Sequence, residues 1–127
     1  MINDRGMMAR NTIIKLQDGK SYRMDFDMGT LANAEGIYES KFGKIVGVDA
    51  IIGELVSGMA RATMAFAYAA LISAGEKLTW EEFGKNIYTF ENYNVLMDAV
   101  TEGLAAMMRS DGDTEDDSKN GDSRGVI

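Results

Sequence analysis

The stretch Leu71–Gly84, LISAGEKLTWEEFG, decides how this chain is read. Gly75 marks a helix end, because glycine reaches the left-handed conformation that closes helices without a steric penalty. Thr79 marks the next helix start. Its hydroxyl is placed to accept from the backbone N–H near Glu82, and Glu82 to reach back to the N–H of Thr79, the two halves of a capping box. Leu78 before the cap and Phe83 after the first turn have the spacing of a hydrophobic staple. Glu81 and Glu82 face the positive end of the helix dipole, worth roughly 0.3–1 kcal/mol each. The cap itself is worth about 1 kcal/mol. Gly75, Leu78, Thr79, Glu82 and Phe83 thus each have a local structural task. The corner reads as the lock of a helical scaffold, not as a catalytic site held in shape.

Upstream of the corner, Met59 to Ala74 is apolar nearly all round and contains seven alanines. A helix with no polar face is one surrounded by other helices. Before it, Val48, Ile51, Ile52, Leu55, Val56 and Met59 recur at helical spacing, and whether Gly58 splits 48–75 into two helices is left open. Leu31, Ala34, Tyr38 and Phe42 mark one face of a helix over about 28–42. Asp27 or Thr30 can cap its start and Gly43 its end. Downstream, Phe90, Tyr93, Met97, Val100 and Leu104 form the core stripe expected of a last helix over about 91–108.

The first half of the domain changes period. Tyr22, Met24 and Phe26 alternate with polar neighbours, as do Ile14 and Leu16, and Asp18-Gly19 between them is a hairpin signal. Strands are expected at about 11–16 and 21–26, with these five apolar residues inward. A lone hairpin is marginal, so it must pack on the helices. Residues 1–10 show no period and read as a flexible arm. Residues 109–127 hold six acids, three bases and no aromatic residue, too little apolar surface to offset ordering entropy. The expected fold is mainly α, an α+β domain over 11–108. An N-terminal two-stranded hairpin precedes a bundle of four to five helices, with a disordered acidic tail over 109–127.

Composition narrows the chemistry. The chain of 127 residues has neither Cys nor His. Thiolate nucleophiles, disulfides and the commonest general base and transition-metal ligand are therefore missing. The net charge of −7 disfavours nucleic acid and anionic membranes. The longest uncharged run, Ala62 to Gly75, is 14 residues, short of the roughly 20 a membrane span needs. No secretory signal opens the sequence, and an intracellular, cytoplasmic protein is expected.

Several candidate sites have plainer readings. Glu81, Glu82 and Glu91 are acids on exposed helix starts, where nothing separates their pKa values for acid–base work. Asp111, Asp113 and Glu115 brush against a calcium-loop pattern. Asp116 stands where that loop wants Gly and Asp122 where it wants Glu, so the segment reads as solvated acid. Gly53–Gly58 has phosphate-loop glycine spacing without the Lys and Ser/Thr that hold phosphate. No catalytic, cofactor or metal residue is assigned. Ten methionines fill core gaps in the first instance. Met107 and Met108, at the helix end beside the acidic tail, are the pair expected to be exposed and to bind a helical partner.

The order of features resembles a known family. The segment IIKLQDGKSYRMDFD leads into MGTLANAEGIYESKFGK, then ATMAFAYAALISAGEKLTWEEFGKNI, then a final helix. This is similar to tail assembly chaperones of long-tailed phages and to the related proteins of prophages and gene transfer agents. Leu31-Ala32 and Glu35 stand where that family places its first helix motif. Leu78, Thr79, Glu81, Glu82 and Gly84 stand where it carries LT.EE.G. The likeness covers about 11–108, and its motifs are structural. It implies a non-enzymatic, cofactor-free factor that coats the tape measure protein, recruits tail tube subunits and self-associates. A translationally frameshifted longer form is common in the family. The other readings are a small structural virion component, such as a head–tail connector or tube-associated protein, and a non-viral regulatory binding module.

Overall fold

The Asp18-Gly19 pair turns the chain as its chemistry requires. Gly19 sits at φ +89°, a conformation that costs glycine little. Its N–H donates to the Leu16 carbonyl at 2.9 Å, and the Asp18 carboxylate accepts from the Lys20 N–H at 3.0 Å. The flanking strands, β1 (Asn11–Lys15) and β2 (Ser21–Asp25), pair antiparallel with Ile14 opposite Tyr22 and Thr12 opposite Met24. The period of two then sorts the side chains. Ile14, Leu16, Met24 and Phe26 are buried, with Tyr22 half-buried against them.

These features belong to a computed structural model that describes residues 11–113. The flexible arm expected at 1–10 lies outside the described residues, as does the acidic tail from 114 onward. After the hairpin come five helices: α1 (Met28–Phe42), α2 (Val48–Val56), α3 (Ala60–Ser73), α4 (Trp80–Glu82) and α5 (Phe90–Asp113). A single π-helical turn, Phe83–Ile87, continues α4. The architecture is a two-stranded hairpin packed on a mostly helical bundle.

α3 is the axle. Eight of its 14 residues are buried, five of them alanine, and it packs against α1, α2, α5 and β2. Small side chains let four neighbours approach one helix at once. The question left open at Gly58 resolves to two helices. Gly58 adopts φ +83°, and the Met59 N–H donates to the Glu54 carbonyl at 2.9 Å, closing α2 before α3 begins. Gly75, at φ +91°, closes α3 in the same way, with the Glu76 N–H on the Leu71 carbonyl at 3.0 Å.

The last helix departs most from expectation. It begins at Phe90 and runs to Asp113, past the boundary expected at 108 and into the segment expected to be tail. Its buried side is also rotated. Asn92, Leu96, Val100, Leu104 and Met107 face the interior, while Phe90, expected in the core, is 97% exposed. Tyr93 and Met97, from the same stripe, are only half-buried. Packing with the hairpin explains the rotation. A Cβ at Gly103 would fall 2.2 Å from the Phe26 ring, so α5 meets the residue that follows β2 through a position without a side chain. Asn92 fixes the other end. Its carboxamide oxygen accepts from the Gln17 N–H and its NH2 donates to the Ile87 carbonyl, both at 3.0 Å.

Candidate functional site

The corner between α3 and α4 is assembled from its own residues first. Thr79 Oγ1 accepts from the Glu82 N–H at 3.0 Å, and the Glu82 carboxylate accepts from the Thr79 N–H at 2.9 Å. Phe83 is fully buried in the core cluster, and Leu78 is half-buried against it. Tertiary structure adds a tie that the sequence did not reveal. The Tyr68 hydroxyl, from α3, donates to the Leu78 carbonyl at 2.8 Å. Around it runs a row of edge, tilted and stacked ring contacts from Tyr38 through Phe42, Trp80, Tyr68 and Phe83 to Tyr88, with centroid separations of 5.1–6.1 Å. The five residues named for this corner therefore hold α3, α4 and the π turn together.

A second polar cluster bridges the break between α2 and α3. Arg61 grips Glu54 with two parallel bonds, Nε to Oε1 and Nη2 to Oε2, each 2.8 Å. The Tyr38 hydroxyl donates to the same Oε1 at 2.8 Å, and the guanidinium carbon lies 5.7 Å from the Tyr38 ring centre. The Arg61 and Tyr38 hydrogen bonds hold the Glu54 carboxyl down at about 2. Burial, then the Glu54 bond and charge, pushes the Tyr38 phenol well above its ordinary range. An ion pair whose third partner is a buried phenol is a clamp. Its carboxylate ties α1 to α3 through three accepted bonds.

Glu35, one of the residues that carries the family likeness, is also a tie. Its carboxylate accepts from the Val48 N–H at 3.0 Å, so α1 caps α2, whose own N-cap residue is Gly47 and supplies no side chain. Glu81 and Glu91 are exposed on separate helix starts, and Glu82 is occupied by the cap. No group of three acidic side chains converges on one point among the described residues. Asp111 and Asp113 fall on the last turn of α5, and Glu115, Asp116 and Asp122 lie outside the described residues. Gly53 is inside α2 and Gly58 breaks it, so neither belongs to a phosphate loop.

The pair expected to meet a partner is divided. Met108 is 53% exposed, but Met107 is 9% exposed and belongs to the core. The physical reason is the face it shares with Val100, on a helix that continues past 108. Met107 lies seven residues from Val100, about two turns, so the two share a face and are buried together. The exposed apolar side chain at the other end of the helix is Phe90. It forms one wall of a cleft of about 300 Å³ with Ala60, Tyr88, Thr89 and Tyr93. The cleft is stitched by the Tyr88 hydroxyl, which donates to the Ala60 carbonyl at 2.6 Å. Burial, then the nearby Tyr93, pushes the Tyr88 phenol up to about 12. The signal missed in the sequence was Asn92. A polar residue starts the buried stripe, so hydropathy favoured the neighbouring stripe that starts at Phe90.

Tyr38, Glu54, Arg61, Glu35, Thr79 and Glu82 are turned to internal ties, while Phe90, Val56, Ile45, Met28 and Met108 are large apolar side chains left exposed among charged ones. That arrangement can hold another chain. Comparison with protein-family models, curated proteins and solved structures finds no match. No described helix is long and apolar enough to cross a membrane.

Proposed function

We propose that this chain is a non-enzymatic assembly factor of the phage or prophage tail, acting in the bacterial cytoplasm. It grips the tape measure protein and helps bring tail tube subunits to it. The observation that carries the reading is the division of labour on the surface. The residues that bear the family likeness, Glu35, Thr79 and Glu82, tie the scaffold together. Phe90, Ile45, Val56 and Met28 meanwhile stand at 73–97% exposure on an acidic protein. Phe90, which walls a cleft with Ala60, Tyr88 and Tyr93, is the apolar surface on which contact with another protein is proposed. Met108 remains in the proposed contact set, Phe90 joins it, and Met107 leaves it.

The test is co-expression with a tape measure protein and a tail tube protein. A tagged copy should co-purify with the tape measure protein at many copies per partner. Phe90→Asp and Met108→Asp should each lower that ratio while circular dichroism stays unchanged. A folded chain that captures no tape measure protein would overturn the assignment.

A further inference from the structure

The hairpin has two outer edges, and the fold treats them differently. The Leu16 N–H donates to the Lys20 carbonyl, which sets the phase of the ladder. With Ile14 opposite Tyr22 and Thr12 opposite Met24, these residues of β1 turn their backbone groups to β2. Ile13 and Lys15, between them, turn theirs outward. On β2 the corresponding outward edge is partly taken. The Arg23 N–H donates to the Glu76 carboxylate and the Asp25 carbonyl accepts from the Thr30 hydroxyl, both at 2.7 Å. Past the end of β1, Asn92 takes the Gln17 N–H at 3.0 Å. The N–H and C=O of Ile13 and Lys15 have no partner among the described residues. Unpaired groups at this spacing are a template for another strand.

We infer that this edge of β1 takes an extended segment of a partner protein as a third strand. Extended backbone is what presents N–H and C=O at the spacing of Ile13 and Lys15. The surroundings select its side chains. β1 runs along α5. Gln17 meets Asn92 at one end, and Phe26 meets Gly103 at the other, beside the Asn11–Asp25 pair. Six residues of strand span about 20 Å and eleven of helix about 17 Å, so the two lie side by side. Val95 and Ala99 fall between those contacts on the flank of Asn92, half-buried against the core. An inward side chain of the added strand lies over them and is therefore apolar.

The outer face is read by charge. Ile13 is 68% exposed there, and the exposed Lys15 has no ion pair among the described residues. The partner residue opposite Lys15 is therefore an acid. Asp18 does not compete, because it sits in the turn with its carboxylate on the Lys20 N–H, and Asp25 stands at the far end of the hairpin. Glu91, Asp98 and Glu102 belong to α5, on the other side of the sheet from Lys15. A lysine on an open edge discourages indiscriminate pairing. Here it turns that guard into a choice of partner. The strand site also lies on the flank of α5 away from the Phe90 cleft, so it is a second surface.

The experiment titrates the full 15N-labelled chain with a capped pentapeptide, Thr-Val-Glu-Val-Thr, whose pattern reads the same in both strand directions. The Ile13 and Lys15 amide signals should shift and gain protection from exchange. The lysine counterpart, Thr-Val-Lys-Val-Thr, should bind more weakly, and Lys15→Glu should reverse the preference. Ile13→Pro removes one outward N–H without touching the β1–β2 ladder. It should weaken binding about 3- to 10-fold, with circular dichroism reporting the fold. Should that variant not fold, the pentapeptide N-methylated at its backbone amides makes the same test from the other side, and it should not bind. Ile13 and Lys15 amides already protected in the free chain would show the edge covered and overturn the inference. So would shifts that follow protein concentration without peptide, which give the edge to a second copy. An N-methylated peptide that binds equally, a preference unmoved by Lys15→Glu, or no shift up to millimolar peptide would overturn it as well. None of these outcomes touches tape measure binding at Phe90.

Discussion

Two helices in this molecule start with a capping box, and the two boxes do different work. At α4, Thr79 and Glu82 exchange bonds at an exposed corner. At α1, Asp27 and Thr30 do the same, with the Asp27 carboxylate accepting from the Thr30 N–H at 3.0 Å. The second box is then built into the core. Thr30 is fully buried, its hydroxyl also donates to the Asp25 carbonyl at 2.7 Å, and Ser73 from the end of α3 donates to Asp27 at 2.9 Å. Beside it Glu76 accepts from the Arg23 N–H at 2.7 Å, so the exit of α3 is pinned to β2. One box caps a helix. The other caps a helix and joins three elements. Identical local chemistry therefore predicts unequal energies, with burial deciding the difference.

The sharpest way to break this comparison is Thr30→Val, which keeps the shape and removes the hydroxyl. It leaves the part-buried Asp25 carbonyl and Asp27 N–H without their partner, at a cost of about 2–3 kcal/mol. For a domain of this size that lowers Tm by roughly 10–20 °C. A loss no greater than that of Thr79→Ala would show that burial adds nothing to the cap.

The exposed corner has its own reinforcement in Tyr68. Tyr68→Phe keeps the ring contacts with Trp80 and Phe83 and removes only the bond to the Leu78 carbonyl. About 1–1.5 kcal/mol should be lost, read in urea by a lower midpoint at unchanged slope. Thr79→Ala removes the cap oxygen alone and should cost about 1 kcal/mol. If Thr79→Ala cost clearly more than Tyr68→Phe, the corner would be held by its local box and not by α3.

The same contrast explains what was legible in the sequence. Thr79, Glu82, Gly75 and the Asp18-Gly19 turn act within a few residues, so their signals are complete in a short window. The hairpin register followed from alternation, and the central place of α3 from its lack of a polar face. The misreadings concern rotation. Choosing between the Phe90 and Asn92 stripes of α5 depends on Gly103 meeting Phe26 and on Asn92 meeting Gln17, contacts across 75 or more positions. Phe90 left its expected place as a consequence of that rotation, whereas Met107, expected outside because it stands at the helix end, is buried on the face of Val100. The Glu54–Arg61–Tyr38 clamp and the Glu35 cap were invisible for the same reason. The end of α5 at Asp113 was misplaced because composition marks where apolar residues stop, not where a helix that has already formed stops.

The finest distinction between the two boxes is a pH dependence. Burial pushes the Asp27 carboxyl up, but the bonds from Thr30, Ser73 and Gly29 outweigh it and hold it below its ordinary 3.8. A carboxyl with a lowered folded pKa contributes stability that is present above about pH 3.8 and lost as pH falls below it. Asn caps helices as well as Asp and can accept the same bonds from Thr30 and Ser73. Asp27→Asn should therefore change stability at neutral pH only through the lost charge, by less than about 1 kcal/mol. As pH falls from 5 toward 2.5, the wild-type chain surrenders that advantage and the two melting temperatures converge. Glu54, held at about 2, titrates in both chains and cancels in the difference. Melts of the pair across this range decide the point. A gap that stays constant to pH 2.5 would mean that Asp27 works through its geometry alone, and the buried box would then differ from the exposed one only in its neighbours.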